Sequence, residues 1–364
     1  MIVLHIANLT DEKSKGPNIN VPKNIIYGSK HADVALYNLQ NSKLTIDLPK
    51  DKAFSIKNYK SIDELPEPFN RPEVVVFQGV YYVQYCKIAA KLRKLKIPYI
   101  IVPRCSLTKA AIKSHYLKKA IANKLFFNKF ISNARSIQFL TKNEYLESKD
   151  NFKFKDYFVL GNGFETPKRH YSVKNRKEFK IVFVGRYNIY HKGLDVLLES
   201  VNTNREWFIE NNVTLELYGS DSDNGLTYLS SYVRDNGLKE IIRVNGPVFD
   251  RKKEEALLDA DIFIHTSRLE GQPTSVIEAI SYGIPVIVTP GTNVADIVKE
   301  NKLGFATKLE ADKIFQSIKQ SFSERNNFSI ISKNEIDYAK KNFSWGQITE
   351  EAIEKYKKWS RYEV

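Results

Sequence analysis

Short β-branched runs alternate with helical patterns along nearly the whole chain, and no other feature limits the fold as strongly. In the first half the apolar runs predict strands at 2–6, 33–37, 74–78, 99–102, 137–140 and 157–160. Helical patterns fall between several of them, at 82–95 and 107–123, and Thr141-x-x-Glu144 has the spacing of a capping box. A polar, basic stretch at 168–177 interrupts the pattern and reads as a linker. The alternation then resumes. Strands are expected at 180–184, 214–218, 241–244, 262–266 and 285–288, with helices at 194–202, 226–235, 252–260, 275–281 and 294–299. Strand then helix, repeated, requires parallel sheets covered on both faces. The expected class is α/β, with two Rossmann-like, doubly wound domains facing across a cleft. Such sheets bind ligands beyond the carboxyl ends of their strands. A chain of 364 residues exceeds one ordinary core and fits two domains. Their expected bounds are 1–166 and 167–345, with a helical pattern running from Trp345 through Trp359.

Composition removes several classes. An apolar share of 42% is too high for a disordered chain, which cannot offset its entropy by burial. Two cysteines, Cys86 and Cys105, are too few for a disulfide framework and read as small buried hydrophobes in a reducing compartment. No apolar run approaches the ~20 residues that span a bilayer. Met1 leads straight into a strand pattern, without a basic lead or a signal-type apolar stretch, so a cytoplasmic location is expected. The net charge of +14 admits nucleic acid, an anionic membrane surface or phosphorylated substrates as partners. Zinc-finger spacing and the aromatic strand signature of RNA-binding sheets are both missing, so no nucleic-acid partner is expected. Peripheral attraction to an anionic membrane face and a merely solvated basic surface both remain open.

The densest chemical signal is Ser267-Arg-Leu-Glu-Gly-Gln-Pro-Thr-Ser-Val-Ile-Glu-Ala279, between a buried strand and a helix. Gly271 permits a sharp turn and a close backbone approach to a ligand. Pro273 suits the first turn of a helix. The amides of Thr274, Ser275 and Val276 would then point free toward the strand ends, where the helix dipole makes an anion site. Glu270 and Glu278 bracket the turn, and a carboxylate can accept both hydrogen bonds of a vicinal diol. The same spacing has a second reading: Ser275-x-x-Glu278 as a capping box and Glu270 as a solvated loop residue.

A second cluster is Phe183-Val-Gly-Arg-Tyr-Asn-Ile-Tyr-His-Lys-Gly193. Arg186 and Lys192, beyond a strand end, would neutralise a diphosphate and the charge on a departing nucleotide. An ordinary solvated loop is the alternative. Together the clusters suit a ligand that combines phosphate with hydroxyls, as a nucleotide sugar does.

Other residues are less telling. Asp221-Ser-Asp223 mimics a metal-binding pair but falls in a turn-rich stretch and reads as a turn. His265 ends a buried strand and reads as a satisfied core histidine, with contact to a donor hydroxyl or base as the alternative. His191 reads as exposed and His115 as a surface helix residue. No His, Cys and carboxylate cluster has metal spacing, and no P-loop or nucleophile elbow is present.

Gly185-Arg186 with Lys192-Gly193, followed by Glu270-x7-Glu278 within Ser-Arg-Leu-Glu-Gly-Gln-Pro, resembles the retaining glycosyltransferases of family four. Gly161-Asn162-Gly163 is similar to that family's Asn-Gly turn at the domain junction, Tyr282–Gly291 to the strand and loop after its donor helix, Gly16-Pro17 to its N-terminal glycine loop, and Phe343-Ser-Trp345 to its entry to the final helix. The resemblance implies a GT-B fold whose last helix, about 346–364, rejoins the first domain. It implies a nucleotide-sugar donor such as a UDP- or GDP-sugar, retention of anomeric configuration, and no metal or other cofactor. Arg186 and Lys192, with Gly185, would hold the diphosphate and Glu278 the ribose. Glu270 with the backbone of Gly271, Gln272, Pro273, Thr274 and Ser275 would hold the transferred sugar and its phosphates, and the 246–249 turn, with Val248, would lie near the base. The acceptor, a glycan or lipid-linked species in surface polysaccharide or glycolipid synthesis, would meet first-domain residues such as Gly16, Arg104 and Asn162, and loops 8–21 and 104–113. Arg104 fits the arginine form of the family's first-domain pair, but Cys105 stands where that pair has glycine. Arg104 either faces the cleft or forms a structural salt bridge. A catalytically silent donor-binding subunit and a GT-B nucleotide-sugar epimerase are the alternatives.

Overall fold

The computed structural model describes residues 1–12, 15–113 and 116–360. The chain forms two compact units: Met1–Gly163 with Trp345–Val364, and Phe164–Ser344. Each is built on one parallel sheet.

The first unit contains β1 (Ile2–Ala7), β2 (Asp33–Asn38), β3 (Ala53–Ser55), β4 (Val74–Gln78), β5 (Tyr99–Val102), β6 (Ser136–Phe139) and β7 (Tyr157–Val159), in the order β3-β2-β1-β4-β5-β6-β7. Val3 lies beside Val34 on one side and Val74 on the other, so β1 is flanked by strands reached in opposite directions. The central strands are apolar on both faces because helices cover both. One layer packs Phe77, Tyr85, Leu92, Tyr99 and Phe130, under helices Val83–Lys94 and Asn128–Asn133. The opposite layer packs Val21, Ile25, Ile353, Tyr356 and Trp359, under helices Gly16–Gly28 and Trp345–Ser360. The last helix is thus part of the first unit. Trp359 stacks on Phe158 at 5.0 Å and donates its indole N–H to Asp156 at 3.0 Å.

The second unit contains β8 (Phe179–Val184), β9 (Val213–Tyr218), β10 (Ile242–Asn245), β11 (Ile262–His265), β12 (Val286–Val288) and β13 (Gly304–Ala306), ordered β10-β9-β8-β11-β12-β13. The order reverses between β8 and β11, which are paired in parallel. Open sheets of this kind take their ligands at the carboxyl ends of the strands that flank such a reversal.

Several expectations need correction. The stretch 168–177 is packed into the second unit: Tyr171 is buried and its amide bonds the Tyr282 carbonyl at 2.8 Å, while Arg176 pairs with Asp259 and Asp261. Segment 8–21 is a loop only in its first part, since a helix begins at Gly16. An added Cβ there would meet only Asn20, at 3.8 Å, so the position makes no steric demand for glycine. Within the stretch expected as a helix over 107–123, the described residues form helices Lys109–Lys113 and Tyr116–Ala122, and a π-helical turn follows at Asn123–Phe127. His115 lies outside the described residues.

Glu335, on helix Phe328–Asn342, is fully buried and neither carboxyl oxygen has a partner among the described residues. Burial raises its pKa well above the usual carboxylate value. The folded state therefore keeps a proton that the unfolded chain releases, and stability falls as pH rises above the unfolded value. Glu335→Gln should raise the melting temperature at pH 7–8, corresponding to at least about 1 kcal/mol, with the gain vanishing near pH 4. Thermal unfolding of both proteins across that pH range checks this; a pH-independent difference contradicts it.

Candidate active site

β8 ends at Val184 and is followed by Gly185 and Arg186, and the loop they open is fixed from below by Tyr187. That side chain is buried, and its hydroxyl donates to the Leu217 carbonyl at 2.8 Å. Asn188 caps the one-turn helix Ile189–Lys192, accepting the His191 amide at 2.9 Å. Gly193 then turns left-handed at φ +62°, and a Cβ there would sit 2.2 Å from the Thr266 carbonyl oxygen. Only glycine allows both the conformation and the approach. The approach is closed by the Thr266 hydroxyl, which donates to the Lys192 carbonyl at 3.0 Å. The β8 loop is thereby tied to the end of β11.

Arg268 makes a second tie. Its guanidinium forks onto Asp195 at 2.7 and 2.8 Å, donates to the Tyr190 carbonyl at 2.9 Å and lies 4.6 Å over the Tyr190 ring. The Arg268 amide donates to the His191 carbonyl at 2.8 Å. Asn293, left-handed at φ +63°, holds the Glu270 and Gly271 carbonyls through its side-chain amide.

These ties bring Lys192 and Glu270 into an ion pair on which each side chain is about 15% exposed. The same Oε1 of Glu270 is 3.1 Å from His265 Nε2 and accepts from the Ser267 hydroxyl at 3.1 Å. Burial alone would raise the Glu270 pKa, but the Lys192 charge and the His265 hydrogen bond hold it well below the usual carboxylate range. His265 is fully buried and stacks on Phe183 at 5.2 Å. Burial, aided by Lys192, lowers its pKa, so the ring is neutral and donates from Nε2. Its Nδ1 is buried without a partner among the described residues. His265 is therefore a ligand of Glu270 and only half satisfied, rather than a core histidine with both nitrogens paired.

Pro273 precedes helix Thr274–Tyr282 as its N-cap, without a side-chain cap. Ser275-x-x-Glu278 is thus no capping box. The Val276 amide returns to the Pro273 carbonyl at 3.1 Å, so it is not free as expected, and among the described residues the open amides are those of Thr274 and Ser275. Glu278 pairs with Lys253, a partner its spacing did not reveal. Arg186 is exposed and has no ion pair among the described residues. Val248, in the turn after β10, is half-buried against the core. Asp221 accepts the Leu226 amide at 2.9 Å and Asp223 the Asn188 side-chain amide at 2.6 Å, so both serve the turn. Among the described residues, the second unit thus brings an unpaired cation, a paired cation, an ionised carboxylate and an open helix N-terminus to neighbouring strand ends.

The first unit holds the remaining candidates. Asn162 is buried, and Gly163 next to it is forced by Trp345, whose ring would lie 2.6 Å from an added Cβ. Arg104 and Cys105 are both left-handed, at φ +51° and +65°. The turn forms without glycine because the buried Glu144 carboxylate accepts the Cys105 amide, together with that of Leu140 at 2.7 Å. Glu144 is therefore not the reciprocal half of a capping box, although Thr141 does accept its amide at 3.1 Å. Arg104 donates to Gln78 Oε1 at 3.1 and 2.8 Å and forms no salt bridge among the described residues, and Gln78 reaches His5 Nδ1 at 2.9 Å. Burial lowers the Arg104 pKa to about 10, against the opposing pull of Glu144, and holds His5 neutral with a pKa lowered to about 3.

Two doubly wound parallel sheets with this strand-end chemistry define a GT-B-fold protein. Residues 165–341, nearly all of the second unit, match the family model of glycosyl transferases group 1. Solved structures align over nearly the whole chain. HepE from Anabaena, in complex with UDP-glucose, shares 14% identity at a TM-score of 0.75, over 98% of this chain and 100% of its own. Sucrose-phosphate synthase from Thermosynechococcus elongatus shares 13% identity at 0.76, over 98% and 99%. WaaG, a glycosyltransferase involved in lipopolysaccharide biosynthesis, shares 15% identity at 0.66, over 96% and 98%. No curated protein sequence matches the chain.

Gly193→Ala should destabilise the second unit by more than about 1 kcal/mol, since it combines a strained φ with a backbone clash. Urea unfolding measures this. Gly237, also left-handed but with nothing within 4 Å of an added Cβ, is the control and should lose less on the same change.

Proposed function

We propose that this chain is a retaining, metal-independent glycosyltransferase using a nucleotide-sugar donor, with a glycan or lipid-linked acceptor in surface polysaccharide or glycolipid synthesis. The observation that carries the reading is Glu270, kept ionised by Lys192 and His265 beside the open helix N-terminus and the unpaired Arg186. The complexes of HepE with UDP and with UDP-glucose make a uridine nucleotide the first donor to try. The involvement of WaaG in lipopolysaccharide biosynthesis supports a surface-glycan setting.

In this reading the donor diphosphate lies at the amides of Thr274 and Ser275, with Arg186 and Lys192 on its oxygens. Lys192 has three N–H groups and can hold Glu270 and a phosphate together. The free Glu270 oxygen takes hydroxyls of the transferred sugar, and Glu278 takes those of the ribose. The bond between the anomeric carbon and the β-phosphate oxygen breaks, its electron pair passing to that oxygen. The acceptor hydroxyl forms the new bond on the same face, and its proton goes to the departing phosphate. Orientation and stabilisation of the leaving group supply the catalysis.

Nucleotide release from a panel of UDP- and GDP-sugars, with and without chelator, tests the proposal. The expected result is slow, chelator-resistant release from one donor, reduced at least about 100-fold in both Glu270→Ala and Lys192→Ala. A donor isomerised without nucleotide release would indicate epimerisation. No release and no thermal stabilisation by UDP or GDP would indicate a silent subunit.

A further inference from the structure

The chain's excess positive charge is confined to one segment. Between Glu73 and Glu144 there are 14 Lys and Arg and no Asp or Glu, which matches the net charge of +14 for the whole protein. Elsewhere acidic and basic residues balance at 42 each. The segment supplies helix Val83–Lys94 and the helices from Tyr116 to Asn133, including the π-helical turn Asn123–Phe127.

That turn buries Phe127 in the core and leaves its neighbours outside. Leu125 is 64% exposed, Phe126 44%, and Ile121, one turn earlier, 62%. Leu125 and Phe126 rim a shallow recess shared with Arg93 and Lys129. Arg93, Lys94, Lys124 and Lys129 are exposed, with no acidic partner among the described residues. The surface therefore combines protruding apolar side chains with unpaired cations.

We propose that this face of the first unit docks on an anionic lipid bilayer, with Ile121, Leu125 and Phe126 entering the headgroup region and Arg93, Lys94, Lys124 and Lys129 contacting lipid phosphates. Charge complementarity selects an anionic surface, and the apolar groups select lipid over nucleic acid. Exposed aliphatic side chains gain nothing against a phosphate backbone, whereas burial at a bilayer interface removes them from water. The face is independent of the donor chemistry.

Co-sedimentation of the full chain with phosphatidylglycerol–phosphatidylcholine vesicles, and with pure phosphatidylcholine vesicles, tests this at low and high salt. The wild type should bind the anionic vesicles and not the neutral ones, with salt weakening the binding. The doubles Leu125→Asp/Phe126→Asp and Lys124→Glu/Lys129→Glu should each bind at least about tenfold more weakly, with melting temperatures unchanged because all four positions are exposed. Failure to bind anionic vesicles, or equal binding to neutral ones, overturns the proposal. So does anionic binding that both doubles retain. RNA binding that survives the Leu125/Phe126 change, in the absence of vesicle binding, assigns the charge to nucleic acid instead.

Discussion

The ion pair of Lys192 and Glu270 is the interaction around which the second unit's strand-end loops are organised. Neither charge is stable alone at that depth. A carboxylate so deeply placed would take up a proton, and an ammonium would lose one or move to water. Each holds the other, and His265 adds a neutral hydrogen bond that leaves the carboxylate ionised. The pair also joins two loops that are neighbours only because β8 and β11 are adjacent where the strand order reverses. Removing one partner would leave an uncompensated charge, which is far worse than never having had the pair.

The backbone contacts around the pair set its geometry. Gly193 lets the β8 loop touch the end of β11, and Thr266, Arg268 and Asn293 then fix carbonyls and amides on both sides. Arg186 stays outside this network and remains available to a ligand. The first unit solves a similar problem with other groups. Two consecutive left-handed residues, Arg104 and Cys105, are held without glycine because a buried carboxylate receives the backbone amide. Arg104 is oriented by an amide, Gln78, which among the described residues leaves its charge without a neutralising partner in direct contact.

Long apolar strands were legible because burial on both faces leaves an uninterrupted β-branched run, as in Val74-Val-Val-Phe-Gln78. β3 and β13 were not, since three residues at a sheet edge carry too little pattern. The helix Gly16–Gly28 was hidden by Gly16, Pro17 and Pro22, residues that ordinarily argue against a helix. In the site, Arg186, Lys192, Glu270 and Glu278 stood out through type and spacing. Lys253, Asn293 and the fork of Arg268 onto Asp195 gave no such signal, because their partners are separated by 25, 23 and 73 residues.

The sequence alone therefore determined the class of fold and the residue types able to meet phosphate and hydroxyl groups. Both follow from local periodicity and from chemistry carried by single side chains. The tertiary structure decided which of those groups meet. It paired Lys192 with Glu270 and Glu278 with Lys253, left Arg186 open, closed the Val276 amide, and drew His265 into the site. Those outcomes depend on strand order and loop approach, and distances between residues far apart in the chain exist only once the sheets have formed.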